Sequence, residues 1–199
     1  FLRRTADVAA SEPDLVAVFT GAAARGTPGR TPTMSEGRID DYFAARLRSF
    51  VAMTSSSVLL HRETFLAIGG FREDYAYAED TEAWFRLVCE GPVYFVPELL
   101  CQIEAGDGSR ITRTLPPEAK VAGLTHLLDS YATHLATGRI PARQASACRR
   151  FMEHQSGRIA VHLTHAGHPM LAARRLLASV PLGSHTWREY VACLKALLR

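Results

Sequence analysis

The sequence predicts an α/β domain that is followed by an α-helical region. Up to about residue 113, short apolar runs rich in β-branched residues alternate with segments of helical periodicity, the pattern of an α/β fold. From Pro117 onward only the helical period remains. The predicted domains are therefore residues 1–113 and residues 114–199. A chain of 199 residues that is 47% hydrophobic and 22% charged can form a globular core, which excludes the disordered and collagen-like classes.

Each element has its own local signal. Strands are predicted where apolar runs are bounded by Pro, Gly or Ser, at residues 15–20, 58–60, 93–96 and 99–103. Helices are predicted where apolar residues recur about one turn apart, at residues 1–11, 39–51, 62–68 and 79–90, then from Pro117 to Gly138, Pro141 to Gly167, Pro169 to Ser179 and Thr186 onward. Gly69 and Gly70 fit a left-handed helix end. The Gly- and Pro-rich residues 21–38 predict a long surface loop.

The charge of the chain is unevenly distributed. Residues 1–110 contain 11 arginines and 16 acidic residues, whereas residues 111–199 contain 12 basic and 4 acidic residues. No tract of five basic residues occurs, so nucleic acid is not a predicted partner and solvated helix faces are the favoured interpretation. Peripheral association of the basic helical region with an anionic membrane surface is the alternative. No apolar run approaches the roughly 20 residues of a membrane-spanning helix.

Cysteine and histidine spacing predicts no metal site. The four cysteines are widely separated without a Cys-x-x-Cys pair, which excludes zinc-finger and thioredoxin-like patterns and favours reduced, buried thiols in a cytoplasmic protein. His162, His165 and His168 recur every third residue, so their positions drift around a helix and Pro169 ends the register, and the three converge poorly for metal binding.

The densest cluster of polar and aromatic residues spans residues 69–87. The adjacent carboxylates Glu79 and Asp80 begin a predicted helix, where they complement the helix dipole. The functional alternative is a general base directed into a cleft. Phe71 and Tyr75 lie on the loop beside the glycine pair and are candidates for contact with a ligand.

The order of four segments is similar to that of a known family. Ser55 to Glu63 reads Ser-Ser-Ser-Val-Leu-Leu-His-Arg-Glu and is followed by Ile68-Gly69-Gly70-Phe71, by Glu79-Asp80 and by Trp84-Phe85-Arg86-Leu87. Together these segments resemble the second half of a bacterial GT-A fold (Rossmann-like) family 2 glycosyltransferase. The resemblance covers residues 1–113.

The resemblance implies an activity and roles for individual residues. A family 2 enzyme moves a hexose, with inversion, from a nucleotide-diphosphate sugar to a hydroxyl of a glycan, lipid-linked or protein acceptor. Such enzymes act in cell-surface polysaccharide biosynthesis, in the cytoplasm or at the inner face of the membrane. Asp80 is then the catalytic base, and the expected acceptor-binding residues are Gly69, Gly70, Phe71, Tyr75 and Glu79.

Two departures from the family pattern bear on cofactors. The nucleotide-binding half, with its metal-binding Asp-x-Asp loop, is expected upstream, so the chain is expected to be an acceptor-side part that is inactive alone. The Mn²⁺ or Mg²⁺ ion would then be held mainly by upstream residues. Glu104 stands where the family has a histidine and is either a metal ligand or a solvated strand end. The hypothesis from another class is a non-catalytic α/β-helical module that binds a carbohydrate or a protein.

Overall fold

A computed structural model describes residues 1–24, 34–49, 52–103, 114–179 and 191. Over these residues the protein is mixed α/β, with one four-stranded mixed sheet and seven helices. The chain divides into two compact units. The sheet unit comprises Phe1–Arg72, Asp80–Asp107 and Ile140–Ala147, and the helical unit comprises Glu73–Glu79, Gly108–Arg139 and Cys148–Arg199. The predicted boundary at residues 113 and 114 borders a stretch outside the described residues and stays a prediction.

Eight helices and strands precede residues 104–113, which lie outside the described residues. The helices are α1 (Leu2–Ser11), α2 (Tyr42–Arg48), α3 (Arg62–Ala67) and α4 (Glu79–Glu90), and the strands are β1 (Ala17–Ala24), β2 (Gly37–Ile39), β3 (Val58–Leu60) and β4 (Val93–Ile103). The sheet order is β2-β4-β1-β3, with β1 parallel to β4 and both outer strands antiparallel to their neighbours. The sheet therefore places its most apolar segments on the two central strands, where Phe19 and Val96 are fully buried.

The two predicted strands around Pro97 form one strand. Thr20 pairs with Val96 and Gly21 pairs with Leu99, so Pro97 and Glu98 bulge out of the ladder between β1 and β4. A Cβ atom on Gly21 would lie 2.8 Å from Leu99 Cδ2 and 3.1 Å from the Glu98 carbonyl oxygen. The bulge therefore accommodates the proline without ending the strand, and the opposing strand needs glycine at residue 21.

Two further boundaries differ from the sequence prediction. The strand predicted at residues 15–20 begins at Ala17 and continues to Ala24, and β2 occupies residues 37–39, so both ends of the predicted loop are strands. Residues 25–33 lie outside the described residues. The helix predicted from residue 39 begins at Tyr42, because the Asp41 carboxylate accepts a hydrogen bond from the Ala44 N–H at 2.9 Å and caps it.

The helical unit contains residues of three helices, as the periodicity predicts. They are α5 (Pro117–Ala136), α6 (Ala142–His165) and α7 (Pro169–Ser179). Gly138 and Gly167 have φ values of 69° and 82°, which confirms glycine-mediated ends of α5 and α6. The buried side chains that α5 and α6 contribute include Leu124, Leu127, Tyr131, Phe151 and Ile159. The helix predicted from Thr186 lies, apart from residue 191, outside the described residues.

No helix within the described ranges is both long and apolar enough to span a bilayer.

Candidate functional site

The glycine pair forms the turn that ends α3. Gly69 and Gly70 have φ values of 87° and 61°, and the Gly70 N–H donates to the Phe65 carbonyl oxygen at 3.0 Å. Both conformations lie in the left-handed region that residues with a Cβ atom avoid. The predicted turn is therefore confirmed, while its role in acceptor binding stays a prediction.

A buried ion pair connects this turn to α4. The carboxylate of Glu82 is fully buried and accepts from Arg86 Nε at 2.8 and 3.0 Å and from Arg86 Nη2 at 2.7 Å. The same guanidinium donates from Nη2 to the Gly70 carbonyl at 2.7 Å and from Nη1 to the Ile68 carbonyl. Arg86 thus satisfies a buried carboxylate and two turn carbonyls at once, which fixes the glycine turn to the helix.

The start of α4 carries backbone strain. Ala78, immediately before Glu79, has a φ of 66°, and it is the only residue other than glycine in the described part of the chain with a positive φ. This conformation costs an alanine roughly 1–2 kcal/mol. The strained residue turns the chain into the helix directly at the Glu79-Asp80 pair, and strain of this kind clusters at functional sites.

Among the described residues, hydrogen bonds reach one carboxylate oxygen of Asp80. Its Oδ1 accepts from the Thr81 N–H at 2.6 Å and from the Thr81 hydroxyl at 3.1 Å. Among the described residues, none donates a hydrogen bond to its Oδ2. Asp80 is half-buried whereas Glu79 is exposed, so only Asp80 has the partly desolvated carboxylate expected of a general base.

Two side chains of α2 act on the same region. Burial raises the pKa of the Tyr42 hydroxyl, and the negative charge of Asp80 raises it further, while the positive charge of Arg46 opposes both. The Tyr42 oxygen accepts a hydrogen bond from the Met53 N–H at 3.0 Å. The start of α4 therefore lies within electrostatic range of a buried phenol that the backbone holds in place.

An exposed aromatic ring stands beside the glycine turn. Phe71 is 47% exposed, and its ring meets those of Phe65 and Trp84 edge to face at 5.1 and 5.6 Å. Trp84 is only 3% exposed, which agrees with a core residue rather than a platform for a sugar. Its indole N–H is buried and meets no acceptor among the described residues. Such an unsatisfied buried donor is rare and is often found at binding sites.

The other two predicted site residues are Tyr75 and Glu104. Tyr75 is 6% exposed, donates its hydroxyl to the His126 carbonyl at 3.2 Å and stacks on the His126 ring at 4.3 Å. Its geometry favours packing within the helical unit, and its contact with an acceptor stays a prediction. Glu104 lies outside the described residues. Within the ranges described, no three His, Cys, Asp or Glu side chains are grouped to hold a metal ion.

Three features of the site are not evident from the sequence. Ala78 carries no signal, because alanine is not a residue expected at positive φ. Tyr42 and Arg46 belong to a helix near Asp80 only through tertiary packing. The capping residue Asp41 was the one available signal, since it marks Tyr42 as the first helical residue.

Comparison of the chain with protein family models, with curated proteins and with solved structures finds no match.

Proposed function

We propose that this chain is the acceptor side of an inverting glycosyltransferase, acting with a nucleotide-binding half that supplies the donor sugar. The donor is a nucleotide-diphosphate hexose, and the acceptor is a hydroxyl group of a glycan, a lipid-linked saccharide or a protein. We also propose that the enzyme acts in the cytoplasm, either in solution or at the inner face of a membrane.

One observation carries the proposal. The Glu82–Arg86 pair holds the Gly69-Gly70 turn against α4, the helix whose second residue is Asp80. Asp80 precedes Arg86 by six residues, which is roughly 9 Å along the helix axis. The same ion pair therefore supports the turn, which carries the exposed ring of Phe71, and the helix, which carries the half-buried carboxylate of Asp80. An acceptor site requires such rigid support for the groups that contact the acceptor.

The chemistry assigned to this chain is a single proton transfer. The Oδ2 atom of Asp80 takes the proton of the acceptor hydroxyl as that oxygen attacks the anomeric carbon of the donor. The bond from the anomeric carbon to the diphosphate oxygen breaks on the opposite face, so the configuration inverts. Thr81 donates to Oδ1 through its N–H and its hydroxyl, so Oδ2 is the oxygen to which we assign the proton.

A divalent ion, Mn²⁺ or Mg²⁺, would neutralise the departing diphosphate. We assign its ligands to the nucleotide-binding half, and Glu104 is the one residue of this chain proposed to approach it. No step assigned to Asp80 depends on that ion.

The test is Asp80→Asn in the protein that joins this chain to its nucleotide-binding half. Asparagine keeps the Oδ1 acceptor for Thr81 but cannot take a proton, so kcat should fall about 10²–10⁴-fold. The melting temperature and the KM for the donor should stay unchanged. Turnover is measured as release of nucleoside diphosphate from candidate sugar donors.

Glu79→Gln is the matched control, because it removes the neighbouring exposed charge from the same helix start. Its kcat should stay within about threefold of the parent, since loss of an exposed charge alters a site only weakly. A kcat near that of the parent in Asp80→Asn would contradict the catalytic assignment and leave helix capping as the role of this residue.

The second candidate is a non-catalytic carbohydrate-binding module, which the exposed ring of Phe71 favours. Aromatic rings held beside a rigid turn bind apolar sugar faces without any chemical step. Phe71→Ala should abolish saccharide binding under both proposals, whereas Asp80→Asn should leave binding intact. Sugar binding without turnover in the complete protein would select the module.

A further inference from the structure

Four basic side chains gather on one side of the helical unit. Arg158, His162 and His165 stand at positions i, i+4 and i+7 of α6, the spacing of a single helix face. The rings of His162 and His165 lie 6.5 Å apart. Lys120 of α5 acts on His162 as well, because its charge, like those of Arg158 and His165, lowers the pKa of His162 below its usual value, an effect to which burial contributes most.

Tyr77 holds this cluster together. Its hydroxyl accepts from Arg158 Nη2 at 3.2 Å, and its ring meets that of His162 edge to face at 6.3 Å. Gly123 lies one turn after Lys120 on α5, and a Cβ atom there would come within 2.6 Å of the Tyr77 carbonyl oxygen. The backbone at Tyr77 therefore contacts α5 while its side chain contacts α6, which brings Lys120 and the α6 residues to the same place.

Among the described residues, no carboxylate pairs with the basic side chains of the cluster. Arg158 donates to the amide oxygen of Gln155 at 2.8 Å and to the Tyr77 hydroxyl, both of them uncharged acceptors. In the described part of the chain, no ion pair includes Lys120, Arg158, His162 or His165. No carboxylate of the described residues is among the groups that act on His162.

We propose that Lys120, Arg158, His162 and His165 form a binding site for a phosphate or diphosphate group. A guanidinium fixed by neutral acceptors offers its remaining N–H donors in the planar arrangement that suits phosphate oxygens. The Lys120 ammonium adds further charged donors. The two imidazoles add donors that become stronger when the rings are protonated. The same cations repel a metal ion, which excludes the histidines as metal ligands in this setting. This proposal does not depend on the proposed function and applies whether or not Asp80 is catalytic.

The experiment follows the His162 imidazole by NMR while phosphate is added to the complete chain at low ionic strength. Inorganic phosphate and inorganic pyrophosphate are the soluble probes. A bound anion favours the imidazolium, so saturation with either probe should raise the pKa of His162. Pyrophosphate should bind about tenfold more tightly than phosphate, because it doubles the number of charged contacts.

Three variants localise the binding. Arg158→Gln and the double variant Lys120→Gln/His165→Asn should each weaken pyrophosphate binding about tenfold or more, the loss expected when charge-assisted hydrogen bonds disappear. The double variant leaves the contacts among Arg158, Tyr77 and Gln155 in place, so it keeps the test valid if Arg158→Gln unfolds. Arg150→Gln removes an equal charge from an exposed position of α6 and should bind as the parent does.

A second binding experiment, with lipid vesicles, identifies the source of the phosphate group. Phosphatidylcholine vesicles with phosphatidic acid are compared with phosphatidylcholine alone. Binding that the double variant loses would place the group on a lipid, whereas binding of pyrophosphate without vesicle binding would indicate a soluble ligand. The proposal is overturned if neither probe nor vesicle shows saturable binding, or if Arg150→Gln weakens binding as much as the cluster variants do.

Discussion

Three arginines of the sheet unit differ from Arg158 of the helical unit in the groups to which they donate. In the sheet unit, Arg4, Arg38 and Arg86 each donate to at least one carboxylate. In the helical unit, Arg158 donates, among the described residues, to the uncharged oxygens of Gln155 and Tyr77. An arginine already paired with a carboxylate stabilises the fold, whereas one held by neutral acceptors keeps its charge for a ligand. The difference assigns a structural role to Arg86 and agrees with the binding role that we propose for Arg158.

The largest expected effect tests the buried ion pair. Arg86→Gln removes the guanidinium from the fully buried Glu82 carboxylate and its donors from the Ile68 and Gly70 carbonyls. Removing one partner of a buried pair typically costs about 3–5 kcal/mol, and we expect a loss of that size in the free energy of unfolding. Urea unfolding followed by tryptophan fluorescence measures it.

Arg158→Gln is the matched change in the helical unit. Gln155 is buried and both partners are uncharged, so we expect a loss of about 1–3 kcal/mol, smaller than that of Arg86→Gln. Equal losses in the two variants would remove the contrast between the units.

The next effect tests how closely Tyr77 packs against α5. Gly123→Ala places a methyl group 2.6 Å from the Tyr77 carbonyl oxygen, where the backbone must move. We expect a loss of about 1–3 kcal/mol in unfolding free energy, the usual cost of overpacking, together with a changed chemical shift for His162. Alanine is a better helix former than glycine, so a gain of about 1 kcal/mol would contradict this packing.

A smaller effect concerns the pH dependence of the helical unit. The pKa of His162 lies below its ordinary value of 6.5, through burial first and then through Arg158, Lys120 and His165. The unfolded chain therefore binds a proton more readily than the folded chain. The contribution of neutral His162 to the stability of the fold is therefore complete above pH 6.5 and is lost as the pH falls through the lowered pKa.

Thermal melts between pH 8 and pH 5 should show this loss, and added pyrophosphate should reduce it. His162→Gln removes the titrating group and should flatten the profile. An unchanged profile in that variant would assign the acid sensitivity to other groups.

The smallest effect belongs to the exposed ion pairs of the sheet unit. Arg38 contacts Glu12, Asp14 and Asp40 at 3.1, 2.6 and 3.1 Å, and its guanidinium holds the pKa of Asp14 below the usual range. This contribution is present above the ordinary pKa of an aspartate and is lost as the pH falls through the lowered value. Because the pairs are exposed, Arg38→Gln should lower the melting temperature only slightly, and high salt should abolish the difference. A difference that persists in high salt would contradict a purely electrostatic role.

The sequence predicted most elements because their signals are local. Glycines at residues 69, 70, 138 and 167 mark helix ends, since left-handed backbone suits few other residues. Proline at residue 117 and the acidic pair at residues 79 and 80 mark helix starts. The helix Glu79–Glu90 and the strand Val58–Leu60 have the predicted bounds.

Signals that depend on a neighbouring strand were misleading. Pro97 reads as the end of a strand, yet the register shift opposite Gly21 absorbs it in a bulge. Residues 21–24 look like a loop because they are small, but β4 supplies the hydrogen bonds that make them a strand. Strand pairing is set between distant segments, so neither feature could be found from one stretch of sequence.

By itself, the sequence determined the fold class, the helical C-terminal region and the carboxylate pair at the start of α4. Only the tertiary structure decided which groups are paired. It gave Arg86 a buried carboxylate, left one oxygen of Asp80 without a donor from the described residues, and surrounded His162 with cations. Periodicity and capping act within a few residues along the chain, whereas charge neutralisation and desolvation depend on neighbours brought together by packing.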